Sequence, residues 1–288
     1  MTVIIGLIVV FVCVFVSYGS HGGNLEVLWQ PVEIVIIGGS ALGAFIIANS
    51  KQTLMHSLKC FGEVFANSQP SRQEYIDLLC LLHQFFKLAK MKGFLAIESH
   101  VDFPHESSIF SQFPSVLKHH HAVVFICDYF RLVTMGNEDA IQLETLMEKD
   151  IEVIAAEKHH VSHAFQQMAD GIPALGIVAA VLGIIKTMGA ITEPPEVLGK
   201  SIGAALVGTF LGVLIAYGVV GPFAAAVGGL HERQMKYYDC IKTGMLAFMQ
   251  GNPPALAIEF SRKILPEDVQ PTFAQLEQVV STLPTPGS

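Results

Sequence analysis

The sequence predicts an all-α membrane protein: four transmembrane helices, a large cytoplasmic helical insert and a helical C-terminal tail. Three observations predict it. The 288 residues are 51% hydrophobic and only 15% charged, against about 25% charged in ordinary globular chains. The apolar excess is gathered into four blocks rather than spread evenly. Fifteen of the seventeen Lys and Arg lie either between the second and third blocks or after the fourth.

The first block runs from Met1 to about Tyr18 and carries no charge. It has no basic leading region and no small-residue cleavage site, so it reads as a retained helix rather than a signal peptide. The second block runs from Val32 to Ser50, with Glu33 at its edge; the third from Gly171 to Ile191; the fourth from Ser201 to about Phe223. About 20 helical residues cross a hydrocarbon core of about 30 Å. The expected division is a hairpin of two spans over 1–50, a cytoplasmic helical domain over 51–170, spans three and four over 171–223, and a cytoplasmic tail over 224–288. Basic residues mark the cytoplasmic side. The two opposite loops, Gly19–Pro31 and Thr192–Lys200, hold Lys200 alone among the basic residues, beside Glu26, Glu193 and Glu196, with Glu33 next to the first. Both termini and residues 51–170 are therefore expected inside.

Within the insert, Ser71 and Glu74 after Pro70 form an S-x-x-E capping box. Tyr75, Leu78, Leu79, Leu82, Phe85, Phe86 and Leu88 follow at helical spacing, and Gly93 is placed to end that helix. A turn region over Val101–Pro114 leads to a second helix over Ser115–Met135, broken by Gly136 and Asn137. A third begins near Glu138 and is expected to continue into span three. Span four is expected to run on past Pro222 to Gln250. In the tail, a short amphipathic helix over Ala255–Leu265 precedes Pro-rich coil that reads as peripheral.

The chemistry is defined partly by what is missing. With Glu33 and Asp170 read as edge residues, no Asp or Glu falls inside a span, and Lys186 is the one charge within a span, near its outer end. An ion carrier needs an intramembrane ionisable group, so a partner is expected to supply the carboxylate. Net charge is −8 and no basic stripe exists, which excludes a nucleic-acid partner. The five cysteines are scattered and form no C-x-x-C pair. Two histidine groups, His119–His121 and His159/His160/His163, read as helix faces rather than metal ligands. No nucleophile motif, P-loop or dinucleotide fingerprint is present, so no enzyme activity, metal or cofactor is expected. Gly39/Gly43, Gly199/Gly203 and Gly208/Gly212 are small-x-x-x-small pairs suited to close helix packing. Thr187, Thr209 and Tyr217 are the polar groups of spans three and four. Pro173 and Pro222 sit at matching depth at the inner ends of those spans, where a proline frees a carbonyl and permits a hinge.

The stretches Gln30–Gly39, Gly93–Glu98, Asp170–Gly183, Val207–Gly212 and Ala216–Gly218 with Pro222 resemble the flagellar stator A subunits (MotA), within the MotA/TolQ/ExbB superfamily. That resemblance implies a stator unit of the bacterial inner membrane. In it, a pentamer of this chain surrounds a dimer of the B subunit (MotB), whose aspartate binds the ion, and ion flow becomes torque on the rotor protein FliG. It implies that Ala180 and Thr209 line the ion path, with Thr187 and Tyr217 as further polar candidates there. Pro173 and Pro222 would couple ion flow to shape change, and Lys90 and Glu98 would meet the rotor. Lys90 departs from well-known members, which carry arginine, so charge is kept but bidentate pairing is not. Sodium-driven relatives carry threonine at the position of Ala180. The pair Ala179 and Ala180 offers no side-chain ligand, so the transported ion is expected to be H+ rather than Na+. The alternatives are an ExbB/TolQ-like energiser of outer-membrane transport, which typically lacks the early hairpin, and a passive scaffold.

Overall fold

A computed structural model describes residues 2–66, 68–136, 139–189 and 191–285. Four helices are long and apolar enough to cross a membrane: Thr2–Ser20, Leu25–Ala48 (opened by a separate turn of helix, Leu25–Leu28), Ala140–Gly189 and Pro195–Met249. In chain order the helices are α1 (Thr2–Ser20), α2 (Pro31–Ala48), α3 (Lys51–Ala66), α4 (Arg72–Lys92), α5 (His120–Thr134), α6 (Ala140–Gly189), α7 (Pro195–Met249), α8 (Pro254–Lys263) and α9 (Phe273–Thr282). Spans three and four do continue as single helices, of 50 and 55 residues. The start of α6 expected near Glu138, and Asn137 of the expected break, lie outside the described residues.

The chain divides into two compact units. One comprises Met1–Ser68 and Glu157–His231; the other comprises Gln69–Ala156 and Glu232–Ser288.

In the first unit the bundle has two apolar clusters. Ile37 and Ala41 of α2 pack with Ile172 and Ala179 of α6 and with Val207, Leu211 and Ala216 of α7. The second cluster joins Cys60 and Val64 of α3 to Val161, Phe165, Phe223, Val227 and Leu230, with Val3 of α1 packed against it. Most of α1 and the outer side of α2 leave Ile8, Val16, Val35 and Ile47 exposed. An apolar helix surface of this kind suits lipid rather than water.

The outer turn between spans three and four is shorter than expected. Pro195 stands at the first helical position and Glu196 in the first turn, where a missing N–H is harmless and a carboxylate meets the positive end of the helix dipole. Residues 195–200 are therefore helix, not loop.

The second unit is built around α4. The capping box forms as read, Ser71 and Glu74 each accepting from the other's backbone N–H. From Tyr75 to Ala89 every side chain is buried except the half-buried Asp77 and Lys87, and the polar His83 and Gln84 are buried with the apolar ones. Gly93 ends it with φ +81, its N–H donating to the Ala89 carbonyl at 2.8 Å. α5 starts at His120 rather than Ser115, after a separate turn, Pro114–Leu117. His119 has ψ +65 and is not helical; its ring lies 3.3 Å from Glu74 Oε1 and, tilted at 38°, 4.9 Å between centroids from the ring of Tyr237. Those tertiary contacts break a segment that local spacing alone would keep as one helix. His119 is thus half-buried, whereas His159, His160 and His163 are exposed as read.

The tail is core, not periphery. Thr272 and Gln275 form a second capping box that opens α9, a T-x-x-Q signal present in the sequence but passed over in favour of coil. Ala257, Ile258, Leu265 and Leu276 belong to the same cluster as α4. Arg262 is 5% exposed and is held by Glu259, by the Gln270 side chain and by the Pro271 carbonyl. Gln84 of α4 donates to the Pro284 carbonyl at 2.9 Å. Leu276→Ala is expected to destabilise this unit by about 2–5 kcal/mol and Thr272→Ala by about 1 kcal/mol, read as thermal melting of the full chain in detergent. An unchanged melting temperature for Leu276→Ala would contradict the core role.

Candidate functional site

Of the residues singled out in spans three and four, Ala180 sits where α6 and α7 touch backbone to backbone. A Cβ added at Gly176 would lie 2.9 Å from both the Gly208 carbonyl oxygen and the Gly212 Cα. One added at Gly212 would lie 2.8 Å from the Gly176 Cα, and one at Gly183 would lie 2.8 Å from the Ala205 Cβ. One at Gly208 would lie 3.1 Å from the Ala180 nitrogen and 3.2 Å from the Ala179 Cβ. The contact is a seam of Gly176, Ala179, Ala180 and Gly183 against Ala205, Gly208 and Gly212, on which a larger residue has no room. Of the three small-x-x-x-small pairs, Gly208/Gly212 carries this packing. Gly39, Gly43 and Gly199 have open space around them, and Gly203 meets only Val27 at 3.8 Å.

The four ion-path candidates are not gathered at one point. Ala180 is buried against Gly208, and Thr209, the next residue, is half-buried. Thr187 is buried and its hydroxyl donates to the Gly183 carbonyl one turn back, at 2.8 Å, the usual resting bond of a helical threonine. Tyr217 is 66% exposed and lies in a widened turn, Ala216–Val220, where the Gly221 N–H donates to the Ala216 carbonyl five residues back.

That widened turn has a cause. Pro222 donates no N–H, and its ring would press on the Gly218 carbonyl in a regular turn; an extra residue in the turn relieves the clash. Pro173 lies inside α6 and likewise deprives the Ala169 carbonyl of its partner. The two proline turns are brought together, since a Cβ on Gly221 would lie 4.0 Å from the Ala169 Cβ. Phe223, directly after the second proline, is clamped among Phe61 at 4.4 Å, Phe165 at 5.1 Å and Phe65 at 6.2 Å between ring centroids. The helix is therefore loosened at Pro222 and anchored one residue later.

Glu33 stands at the edge of span two, as the sequence predicts, but it is buried there rather than turned to the outside. It occupies the first turn of α2 and is 8% exposed. Its Oε2 has no hydrogen-bond partner and would lie 3.3 Å from a Cβ at Gly208. An unmet buried carboxyl oxygen is costly, so this chain does place a carboxyl against the seam. The signal was available: Pro31 at the first helical position puts Glu33 at the third, already inside the helix.

Lys90 and Glu98 belong to the second unit. Lys90 stands in the last turn of α4 and Glu98 in the first turn of a short helix, Glu98–Asp102. Each sits at the helix end whose dipole favours its charge. Both are exposed, and no ion pair joins them among the described residues. Three buried thiols are held in their neutral form: burial pushes Cys60 up to about 11, and Cys80 and Cys127 up to about 12.

Comparison with known proteins bears on both the seam and the hairpin. Residues 4–93 match the family described as motility protein A N-terminal, and residues 119–240 match the MotA/TolQ/ExbB proton channel family. Motility protein A of Salmonella typhimurium is 35% identical over 287 residues, covering 100% of this chain and 97% of that protein. Motility protein A of Escherichia coli is 35% identical, covering 99% and 97%. The chemotaxis protein LafT of Vibrio parahaemolyticus is 36% identical, covering 95% and 96%. In fold, the chain is similar to a solved C. jejuni MotAB structure (TM-score 0.76, 19% identity, 93% of this chain and 96% of that one). It is also similar to the flagellar MotAB stator complex of Bacillus subtilis (TM-score 0.72, 23% identity, 93% and 98%).

Gly212→Val is expected to abolish the folded bundle or lower its melting temperature sharply, whereas Gly39→Ala is tolerated. Thermal aggregation in detergent reads both, and equal tolerance would mean that the seam is not the packing contact. Glu33→Leu, which removes the unmet oxygen, is expected not to lower the melting temperature; a drop would show that the carboxyl is satisfied.

Proposed function

This chain belongs to the motility protein A family, and from that premise we propose that it is the A subunit of a flagellar stator, conducting protons together with a B subunit and turning their flow into torque on the rotor. The observation that carries the reading is the α6–α7 seam. It unites, at backbone contact, the segments Asp170–Gly183 and Val207–Gly212 that resemble the ion-path spans of the family, in a chain alike over its full length to motility proteins A.

The roles divide along the chain. A B-subunit dimer supplies the aspartate that binds the ion, and Ala180, Thr209, Thr187 and Tyr217 border its path. Pro173 and Pro222 form the coupling hinge: their two loosened turns lie side by side, so a shift of one helix is felt by the other, and the Phe223 clamp passes it on along α7. Lys90 and Glu98 present exposed, unpaired charges to the rotor protein FliG. A pentamer of the chain surrounds the B dimer in the bacterial inner membrane, with residues 51–170 and both termini cytoplasmic. The ion is H+, because Ala179 and Ala180 bring no hydroxyl to replace water around Na+. An energiser of outer-membrane transport is not favoured, since residues 4–93 match the motility-specific N-terminal family.

The deciding experiment is ion uptake by proteoliposomes holding this chain with and without its B subunit, freed of any plug. Proton uptake only with B, lost when the B aspartate becomes asparagine, is the expected result. Sodium uptake instead would overturn the ion assignment, and no flux of either ion would overturn the channel role. Lys90→Glu is expected to reduce torque, with Glu98→Lys partly restoring it against a rotor of matched charges; normal swimming of both single variants would remove the rotor contact. Pro173→Ala is expected to assemble normally and rotate slowly, and failure to assemble would make that proline structural only.

A further inference from the structure

The helix that follows span two carries a face that neither the ion path nor the rotor contact uses. α3 begins at Lys51, three residues after α2 ends at Ala48. Its inner side, Ser57, Cys60 and Val64, is buried. The opposite stripe, Lys51, Met55, Leu58 and Lys59, is exposed, with Leu58 at 78% and Met55 at 57%. Lysine and large apolar side chains thus alternate on one outward face, right where the chain leaves an apolar span. Helices of this composition lie in the boundary between headgroups and acyl chains, their lysines reaching for the polar layer over apolar stems.

The face also has a pocket. Lys51, Gln52, Met55, His56 and Lys59 line a shallow depression open to the surface. Two lysines, a glutamine and a histidine contribute to its lining, mainly through their apolar atoms, and no Asp or Glu does. Among the described residues, neither lysine is held in an ion pair. Glu63, one turn beyond Lys59, exerts its charge on Lys158 and Cys60 of the bundle core. The depression starts at the first turn of the 16-residue α3 and runs along its first half. There the Ser50 hydroxyl accepts the Thr53 N–H at 3.2 Å, and the remaining first-turn N–H groups and the helix dipole add positive potential.

We propose that this pocket binds the headgroup of an anionic phospholipid. Lys51 and Lys59 take the phosphate, Gln52 and His56 add hydrogen bonds, and Met55 and Leu58 lie among the acyl chains. A zwitterionic headgroup would bring its own ammonium against the two lysines and is disfavoured. The opposite side of α3 carries Cys60 and Val64 into the cluster that holds Phe223, so the bound lipid steadies the wall against which the Pro222 turn is anchored. The inference rests only on α2 spanning a bilayer and stands independently of the stator reading.

The test uses the full chain in nanodiscs of phosphatidylcholine, with or without phosphatidylglycerol, and counts lipids retained on the released protein by native mass spectrometry. Phosphatidylglycerol is expected to be retained over phosphatidylcholine, less so as salt rises, and about tenfold less by the Lys51→Ala/Lys59→Ala pair. Lys51→Arg/Lys59→Arg is expected to keep it, and Lys149→Ala/Lys236→Ala to leave it unchanged. Equal retention of the two lipids, or full retention by the alanine pair, overturns the proposal. Should the alanine pair fail to fold, acetylation of wild-type Lys51 and Lys59 decides: protection in phosphatidylglycerol discs alone supports the site. Equal labelling in both discs, or protection without the anionic lipid as a second copy covering the face would give, overturns it.

Discussion

Everything in the first unit depends on α6 and α7 approaching until glycine backbones touch. In lipid there is little apolar driving force to bring helices together, because acyl chains are as apolar as leucine; close van der Waals contact does the work instead. Gly176 against Gly212 and Gly183 against Ala205 supply that contact along about two turns of helix. The seam orders what flanks it: Ala180 is buried against Gly208, Thr209 is carried round to the half-buried side, and α2 closes over both helices through Ile37 and Ala41.

At one end of the seam the helices change character. Tight glycine packing gives way to two proline turns lying against each other, and those to a knot of phenylalanines around Phe223. A stiff contact, a loosened turn and a stiff anchor in succession concentrate bending at one level. The proposed coupling role rests on that succession, in which the two proline turns act as a pair.

The charge pattern completes the division of labour. Glu33 is drawn against the seam, Lys90 and Glu98 stay exposed at helix ends that favour their signs, and Lys51 and Lys59 stand at the edge of the apolar span. Buried, exposed and interfacial charge each face a different medium: protein interior, water and headgroups.

The sequence by itself determined the class of protein, the four spans, the continuity of α6 and α7, the capping box of α4 and the positions of both prolines. Each of these is written in local pattern, as apolar length, period or a cap, and needs no knowledge of neighbours. The candidate site was legible mainly as motif: Asp170–Gly183 and Val207–Gly212 could be named, but not which glycine meets which. Only tertiary structure decided that Gly208/Gly212 packs while Gly39/Gly43 does not, that His119 breaks a helix to reach Glu74 and Tyr237, and that the tail is core. It also decided that Glu33, at the edge of span two, is buried. The physical reason is common to all four: whether a small, polar or apolar side chain is used depends on what lies across from it, and that partner is distant in the chain.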